Sequence, residues 1–219
     1  DVAPAGFARQ RVHRIRARHV ILATGAHERP LVFANNDVPG CMQASAVSAY
    51  INGYGVRPGK RLVLMTTNDN AYEAAFDWIK SGGESAVVVD IRTSVNSELL
   101  KRAATAGIRT LTGSAVFEVK GKRQVKAALV CGLDAERNAL IGNDETIPAD
   151  IIASSGGWSP VVHLSCHTGI KPDWREDIAA FVPGATNQKM LTAGAVSGDF
   201  SLSAALRQGA SAAATILAD

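Results

Sequence analysis

Two places in this chain join an apolar run to a cluster of very small residues, the combination that lets backbone come close to a flat or phosphorylated ligand. The first is Ala23-Thr24-Gly25-Ala26, directly after Val20-Ile21-Leu22. The second is Gly194-Ala195, shortly after Met190-Leu191-Thr192. Short apolar runs of this kind read as buried strands. Open α/β sheets place dinucleotides outside the carboxyl ends of such strands. The Ala-rich stretch Leu202 to Leu217 reads as a helix whose N-terminus points toward whatever lies beyond Gly194, as an anion site requires. No Gly-rich phosphate turn precedes Val20: the residues before it do not make a strand, a G-x-G-x-x-G turn and a helix. The sequence therefore reads as a piece of a larger nucleotide-binding protein.

A third strand exit carries the opposite signal. After Arg61-Leu62-Val63-Leu64-Met65 a dinucleotide domain needs three glycines, for the turn, for the diphosphate and for helix packing. This chain has Thr66-Thr67-Asn68-Asp69-Asn70-Ala71. Side chains fill the space a diphosphate needs, and Asp69 repels it. Phosphate binding by the side chains of Thr66, Thr67 and Asn68 is the competing reading. Asp90 ends the next apolar run at about the spacing of a ribose-binding acid, but strand-end aspartates are common. His27-Glu28-Arg29 reads either as a cofactor contact or as an ion pair at a domain crossing. His163 and His167 are four apart with Cys166 between them, yet Pro160, Gly169 and the lack of a matching Glu favour capping and packing over a metal. Trp158, just after Gly156-Gly157, reads as core rather than as a lid. No catalytic acid, base or nucleophile stands out.

These sites need elements to hold them. Helices are expected at Ser45 to Asn52, Asn70 to Lys80 and Ser97 to Ala106, and strands at Arg61–Met65, Ala86–Asp90 and Ile108–Leu111. Antiparallel strands follow at Ala115–Val119 and Val125–Leu133, with Thr146–Pro148 at the edge. That order is half of a doubly wound domain. Ala149 to Gly157 repeats the pattern of an apolar strand and a small-residue exit. The basic stretch Phe7 to Arg18 reads as hairpin material. The fold class expected is α/β: a Rossmann-like βαβ domain (residues 32–148) inserted into an incomplete second dinucleotide-binding domain (residues 1–31 and 149–219), in a glutathione-reductase-like arrangement.

Composition excludes several classes. The 219 residues are 47% hydrophobic and 20% charged, enough for one large or two small domains. A formal net charge of +3, with no aromatic-interleaved basic run, argues against nucleic acid. Cys41, Cys131 and Cys166 are odd in number and widely spaced, so disulfides and structural zinc are not expected and a cytoplasmic location is. No apolar run has membrane-spanning length.

Several strings are more specific. Ala23-Thr24-Gly25-Ala26-His27-Glu28-Arg29-Pro30, Phe33-Ala34-Asn35-Asn36-Asp37, Thr66-Thr67-Asn68-Asp69, Ser155-Gly156-Gly157-Trp158-Ser159-Pro160-Val161-Val162-His163-Leu164 and Ala179-Ala180-Phe181-Val182-Pro183 resemble the alpha-subunit family of heterotetrameric sarcosine oxidases, over nearly the whole chain. The resemblance implies a part in the oxidative demethylation of sarcosine to glycine, with formaldehyde or methylene-tetrahydrofolate and hydrogen peroxide as products. It implies partners, namely the remaining alpha-subunit segments and the other subunits. It implies FAD and FMN in the full complex, not bound by this segment alone, and a structural NAD held by the outer domain. By that match Ala23, Thr24, Gly25, Ala26, Gly157, Gly194 and Ala195 line the NAD, with no catalytic and no metal-binding residue in this stretch. One departure fits. Related flavoproteins follow the last strand with Gly-Asp, whose Asp binds the ribityl chain of FAD, whereas here it is Gly194-Ala195. FAD would lose a charge-assisted hydrogen bond worth about 1.5–3 kcal/mol, roughly one to two orders of magnitude in affinity, and NAD loses nothing. Without the phosphate loop, this stretch alone is expected to hold little NAD. The rival readings are a non-enzymatic assembly module, or a component of a related opine oxidase or proline dehydrogenase-like enzyme.

Overall fold

The structure is a computed structural model that describes residues 5–136, 138–186 and 188–219. The elements, in chain order, begin with β1 (Val20–Leu22), β2 (Ala26–Glu28), β3 (Cys41–Gln43), α1 (Ala44–Tyr54), β4 (Arg61–Thr66), α2 (Tyr72–Lys80), β5 (Ser85–Asp90), α3 (Ser97–Thr105) and β6 (Arg109–Thr112). They continue with β7 (Ser114–Gly121), β8 (Val125–Leu133), β9 (Leu140–Pro148), β10 (Ile151–Ser155), β11 (Trp158–Pro160), α4 (His163–Cys166), β12 (Asp173–Arg175), β13 (Ala180–Val182), β14 (Met190–Thr192) and α5 (Leu202–Leu217). The chain divides into two compact units, His27–Ser159 and Asp1–Ala26 with Pro160–Asp219. Among the described residues no helix is long and apolar enough to cross a membrane.

The His27–Ser159 unit is built on a five-stranded parallel sheet in the order β3-β10-β4-β5-β6. The continuous apolar runs of β4, β5 and β10 explain why: a parallel strand is covered on both faces, so both sets of side chains must be apolar. Leu62, Leu64, Val88, Ile151 and Ala153 face α1 and α2 and pack with Val47, Tyr72, Ala75 and Trp78. Their neighbours Val63, Met65, Val87, Val89 and Ile152 belong to a second cluster with Val116, Val119, Val125, Val130 and Ile147 of the antiparallel sheet β7-β8-β9. Each fully buried Leu, Ile or Val contributes about 1.5–3 kcal/mol. Trp78 and Tyr72, both 0% exposed, are the largest side chains enclosed.

The division between units differs from the one expected at 31/32 and 148/149. It falls at 26/27 and 159/160. The reason is β10, expected to return to the outer domain. It lies instead between β3 and β4, with Ile152 opposite both Cys41 and Val63. An apolar strand carries no label saying which sheet it joins.

The other unit has less internal packing. β1 and β14 form a two-stranded parallel pair, with Val20, Ile21 and Leu22 opposite Met190, Leu191 and Thr192. β12 and β13 form an antiparallel hairpin with Trp174 opposite Phe181, ring centroids 5.0 Å apart. The hairpin expected within Phe7 to Arg18 does not form; the segment has no strand, and Val12 and Ile15 are 92% and 85% exposed. A strand without further ladder partners and a covered face is marginal in water. The last strand is Met190–Thr192, and Gly194–Ser197 in the exit after it is a 3-10 helix.

Candidate functional site

The expected cofactor residues Ala23 to Ala26, Gly194 and Ala195 all lie in the unit that contains β1 and β14. The parallel pairing of those strands sets the two small-residue exits side by side, and the Ala193 N–H donates to the Leu22 carbonyl at 3.0 Å. Gly25 (φ +74°) and Gly194 (φ +81°) both take the left-handed conformation that favours glycine. A Cβ built on Gly25 would meet no atom within 4 Å, and one on Gly194 only the Ala205 Cβ at 3.7 Å. The backbone here is bare, as a close-approaching ligand needs. Thr24 is turned inward: its Oγ1 donates to the Val161 carbonyl at 2.8 Å, fixing the exit rather than offering a hydroxyl.

The second exit is partly committed. The Gly194 N–H donates to Gln208 Oε1 at 2.7 Å, and the Gln208 Nε2 in turn donates to Asp199. Ser201 caps α5 by accepting from the Ala204 N–H at 3.2 Å. The Gly194 N–H is therefore already taken by Gln208. Gly157 is placed differently. It belongs to the His27–Ser159 unit, and a Cβ there would lie 2.7 Å from the Arg29 guanidinium, so that side of its backbone is already covered. Sequence reasoning missed Gln208, because nothing in a helix pattern marks which side chain bends back to a strand exit.

The turn after β4 closes on itself. Thr66 Oγ1 donates to the Asn68 carbonyl and accepts from the Asn68 N–H, both at 3.0 Å. The Asn68 amide donates to Ser155 Oγ at 3.0 Å and to the Ser155 carbonyl at 3.3 Å, while its Oδ1 accepts from the Ala71 N–H. These side chains occupy the mouth between β4 and β10. Asp90, 0% exposed, accepts from Tyr72 Oη at 2.9 Å and from the Arg92 guanidinium at 2.8 and 3.0 Å. Arg92 also reaches Asp69 at 2.8 Å. Hydrogen bonding to Asp90 holds the Arg92 guanidinium above its ordinary value, and burial beside Asp90 pushes the Tyr72 phenol up. The acid at the ribose-binding position is thus already paired. Arg92, two residues beyond Asp90, is the signal in the sequence that could have pointed to this pairing.

The remaining candidates have local duties. Glu28 is 8% exposed and accepts from the Ser45 N–H at 2.9 Å and Ser45 Oγ at 2.5 Å, capping α1, whose preceding residue Gln43 makes no side-chain cap. His163 opens α4, and the His167 N–H donates to the His163 carbonyl. Among the described residues no group of three or more His, Cys, Asp or Glu is placed to hold a metal ion. Cys41 is half-buried, and burial, reinforced by Asp37, pushes its thiol up to about 11.

No family model matches the chain. Curated relatives do. The chain is 44% identical over 212 residues to the sarcosine oxidase alpha subunit of Corynebacterium sp. (strain P-1), covering 96% of this chain and 22% of that protein. It is 37% identical over 215 residues to the protein of the same name from Rhizobium meliloti (strain 1021), covering 95% and 20%. An opine oxidase subunit from Agrobacterium tumefaciens (strain Ach5) is 28% identical over 198 residues, covering 83% and 38%. Among solved structures, T. acidophilum thioredoxin reductase superposes with a TM-score of 0.71 at 19% identity, over 93% of this chain and 66% of that one. The bacillithiol disulfide reductase Bdr of Staphylococcus aureus gives 0.60 at 16% identity, over 92% and 62%. These likenesses carry the fold, a Rossmann-like dinucleotide-binding architecture. The chain is homologous to a segment of sarcosine oxidase alpha subunits, and it spans about a fifth of the length of those curated relatives.

Proposed function

We propose that this chain is part of the alpha subunit of a heteromeric sarcosine oxidase-like complex, which oxidatively demethylates sarcosine to glycine in the cytoplasm. The chain supplies cofactor wall and scaffold, not the catalytic centre. FAD and FMN belong to the rest of the complex and carry the redox step there. The ligand of this segment is NAD in a structural role, lying against Ala23, Thr24, Gly25, Ala26, Gly194 and Ala195. The observation that carries the reading is the bare, left-handed backbone at Gly25 and Gly194, set side by side by parallel strands. Gly157 is left out of that set, because a Cβ there would lie 2.7 Å from the Arg29 guanidinium and that side of its backbone is covered. The partners are the remaining alpha-subunit segments, which complete the β1–β14 pair, and the other subunits.

The test is the NAD content of the complete complex. Acid release followed by enzymatic assay should give one NAD per alpha subunit, and Gly25→Val should lower that stoichiometry while the flavin content holds. The 219-residue chain alone should show little or no NAD binding by calorimetry. Tight stoichiometric binding by the isolated chain, or an unchanged NAD content in the Gly25→Val complex, sinks this reading.

A second reading is favoured by the closed turn at Thr66–Ala71. Its side chains bond one another, as in a unit kept for contact with other polypeptide rather than for a nucleotide. Substrate identity is separable from both: activity of the complete complex on sarcosine, on proline and on opines decides among the amine oxidoreductases, since this reading puts the reacting bond elsewhere in the complex.

A further inference from the structure

A cavity of about 200 Å³ opens in the His27–Ser159 unit between the N-terminal ends of α1 and α2. Its walls are the residues that follow three neighbouring parallel strands: Ala44 and Ser45 after β3, Asn70 and Ala71 after β4, and Trp158 after β10. The order of strands reverses between β10 and β4, since β5 and β6 extend the sheet one way and β10 and β3 the other. That is where open α/β sheets hold ligands. The cavity is mostly apolar and has one formal charge in its wall, Glu28.

Capping explains only half of that carboxylate. Both Ser45 bonds fall on Oε2, and Oε1 accepts none among the described residues. A buried carboxylate keeps a substantial penalty until its second oxygen is also paired. An anionic ligand would add like-charge repulsion. A neutral one would leave the charge uncompensated. A cation carrying N–H donors meets the need, and Trp158 puts an indole ring in the same wall. The volume lies below the roughly 300–1,000 Å³ of drug-sized pockets, so the ligand is compact.

We propose that this cavity is a binding site for a compact organic ammonium ion, with Glu28 as its counter-ion and Trp158, Ala44, Ala71 and Ala74 around its apolar part. The cavity is lined wholly by residues of the His27–Ser159 unit, and the proposal stands whether or not this chain holds NAD.

The experiment follows the Trp158 indole N–H by NMR in the full chain during titration with isopropylammonium. Propan-2-ol and isobutyrate serve as neutral and anionic counterparts of the same shape. Isopropylammonium should move the peak saturably and the other two should not. Glu28→Gln, which can still accept from Ser45, should weaken binding about tenfold or more. Ser48→Leu should abolish it by filling the cavity from α1 while leaving Glu28 in place. If Glu28→Gln disturbs the Trp78 and Trp174 indole peaks before any ligand is added, Ser48→Leu decides alone. Equal response to propan-2-ol or isobutyrate, no saturable response at all, or undiminished affinity in the folded variants overturns the proposal.

Discussion

Asp90 shows how one residue can carry a familiar position and a different job. It ends β5 where a ribose-binding acid belongs, yet it is fully enclosed and its oxygens are taken by Tyr72 and Arg92. Removing one partner of a buried ion pair strands the other charge, which costs about 3–5 kcal/mol. Arg92→Met should therefore lower stability by about 3 kcal/mol in urea denaturation, and adding Asp90→Asn should recover most of the loss. If the double variant is no more stable than the single one, the pair is not coupled as described. Asp150 offers a check by pH. Its carboxylate accepts from the Arg61 guanidinium at 2.7 Å and from the Lys60 and Arg61 N–H groups, and the Arg61 bond holds it below its ordinary value of 3.8. A depressed folded-state value gives stability that is present above the unfolded value and lost as pH falls through the folded one. The native chain should exceed Asp150→Asn in stability near neutral pH, and the gap should close as pH drops below 3.8. A gap of constant size down to strongly acidic pH would count against the ion pair.

The elements differ in how completely their surfaces are used. α2 buries Tyr72, Ala74, Ala75 and Trp78, so its apolar face is matched by the sheet beneath it. α5 buries only Ala212, and a stripe of Leu202, Leu206, Ala210, Ala213 and Leu217 at helical spacing stays exposed, with the three leucines 76%, 66% and 87% accessible. An apolar stripe of this length left in water marks an association surface. Leu206→Glu should change the stability of the isolated chain by about 0.5 kcal/mol or less, because the side chain is already in water. The same change should reduce self-association in light scattering. Scattering that does not respond would mean that α5 is not the sticky surface.

At the scale of the molecule, two units with very different cores share one chain. The His27–Ser159 unit has apolar clusters on both faces of its sheet. The other unit relies on a two-stranded parallel pair, a hairpin and one helix, with Val20 and Ile21 about half exposed at 44% and 40%. Protection from hydrogen exchange follows local packing. The amides of β4, β5 and β10 should be the slowest to exchange in the isolated chain, and those of β1 and β14 should exchange far sooner. In the complete complex, protection of β1 and β14 should rise toward that of β4. Equal protection of both units in the isolated chain would overturn this difference in packing.

The element order was legible because its signals are local. Apolar runs of strand length, helical spacing at Tyr72, Ala75, Phe76 and Ile79, and Gly-rich stops such as Gly82-Gly83 depend only on neighbouring residues. The resemblance in strings such as Ala23 to Pro30 was legible too, and the curated relatives bear it out at 37–44% identity. Pairing across the chain was not. β10 joined the inner sheet because its backbone found β3 and β4 there, and two apolar strands with the same pattern look alike until hydrogen bonds choose between sheets. The Gln208 bond to Gly194, the Arg29 cover over Gly157 and the Arg92 clasp on Asp90 are likewise products of three-dimensional proximity, since a polar side chain with several donors takes whichever acceptor folding brings within reach.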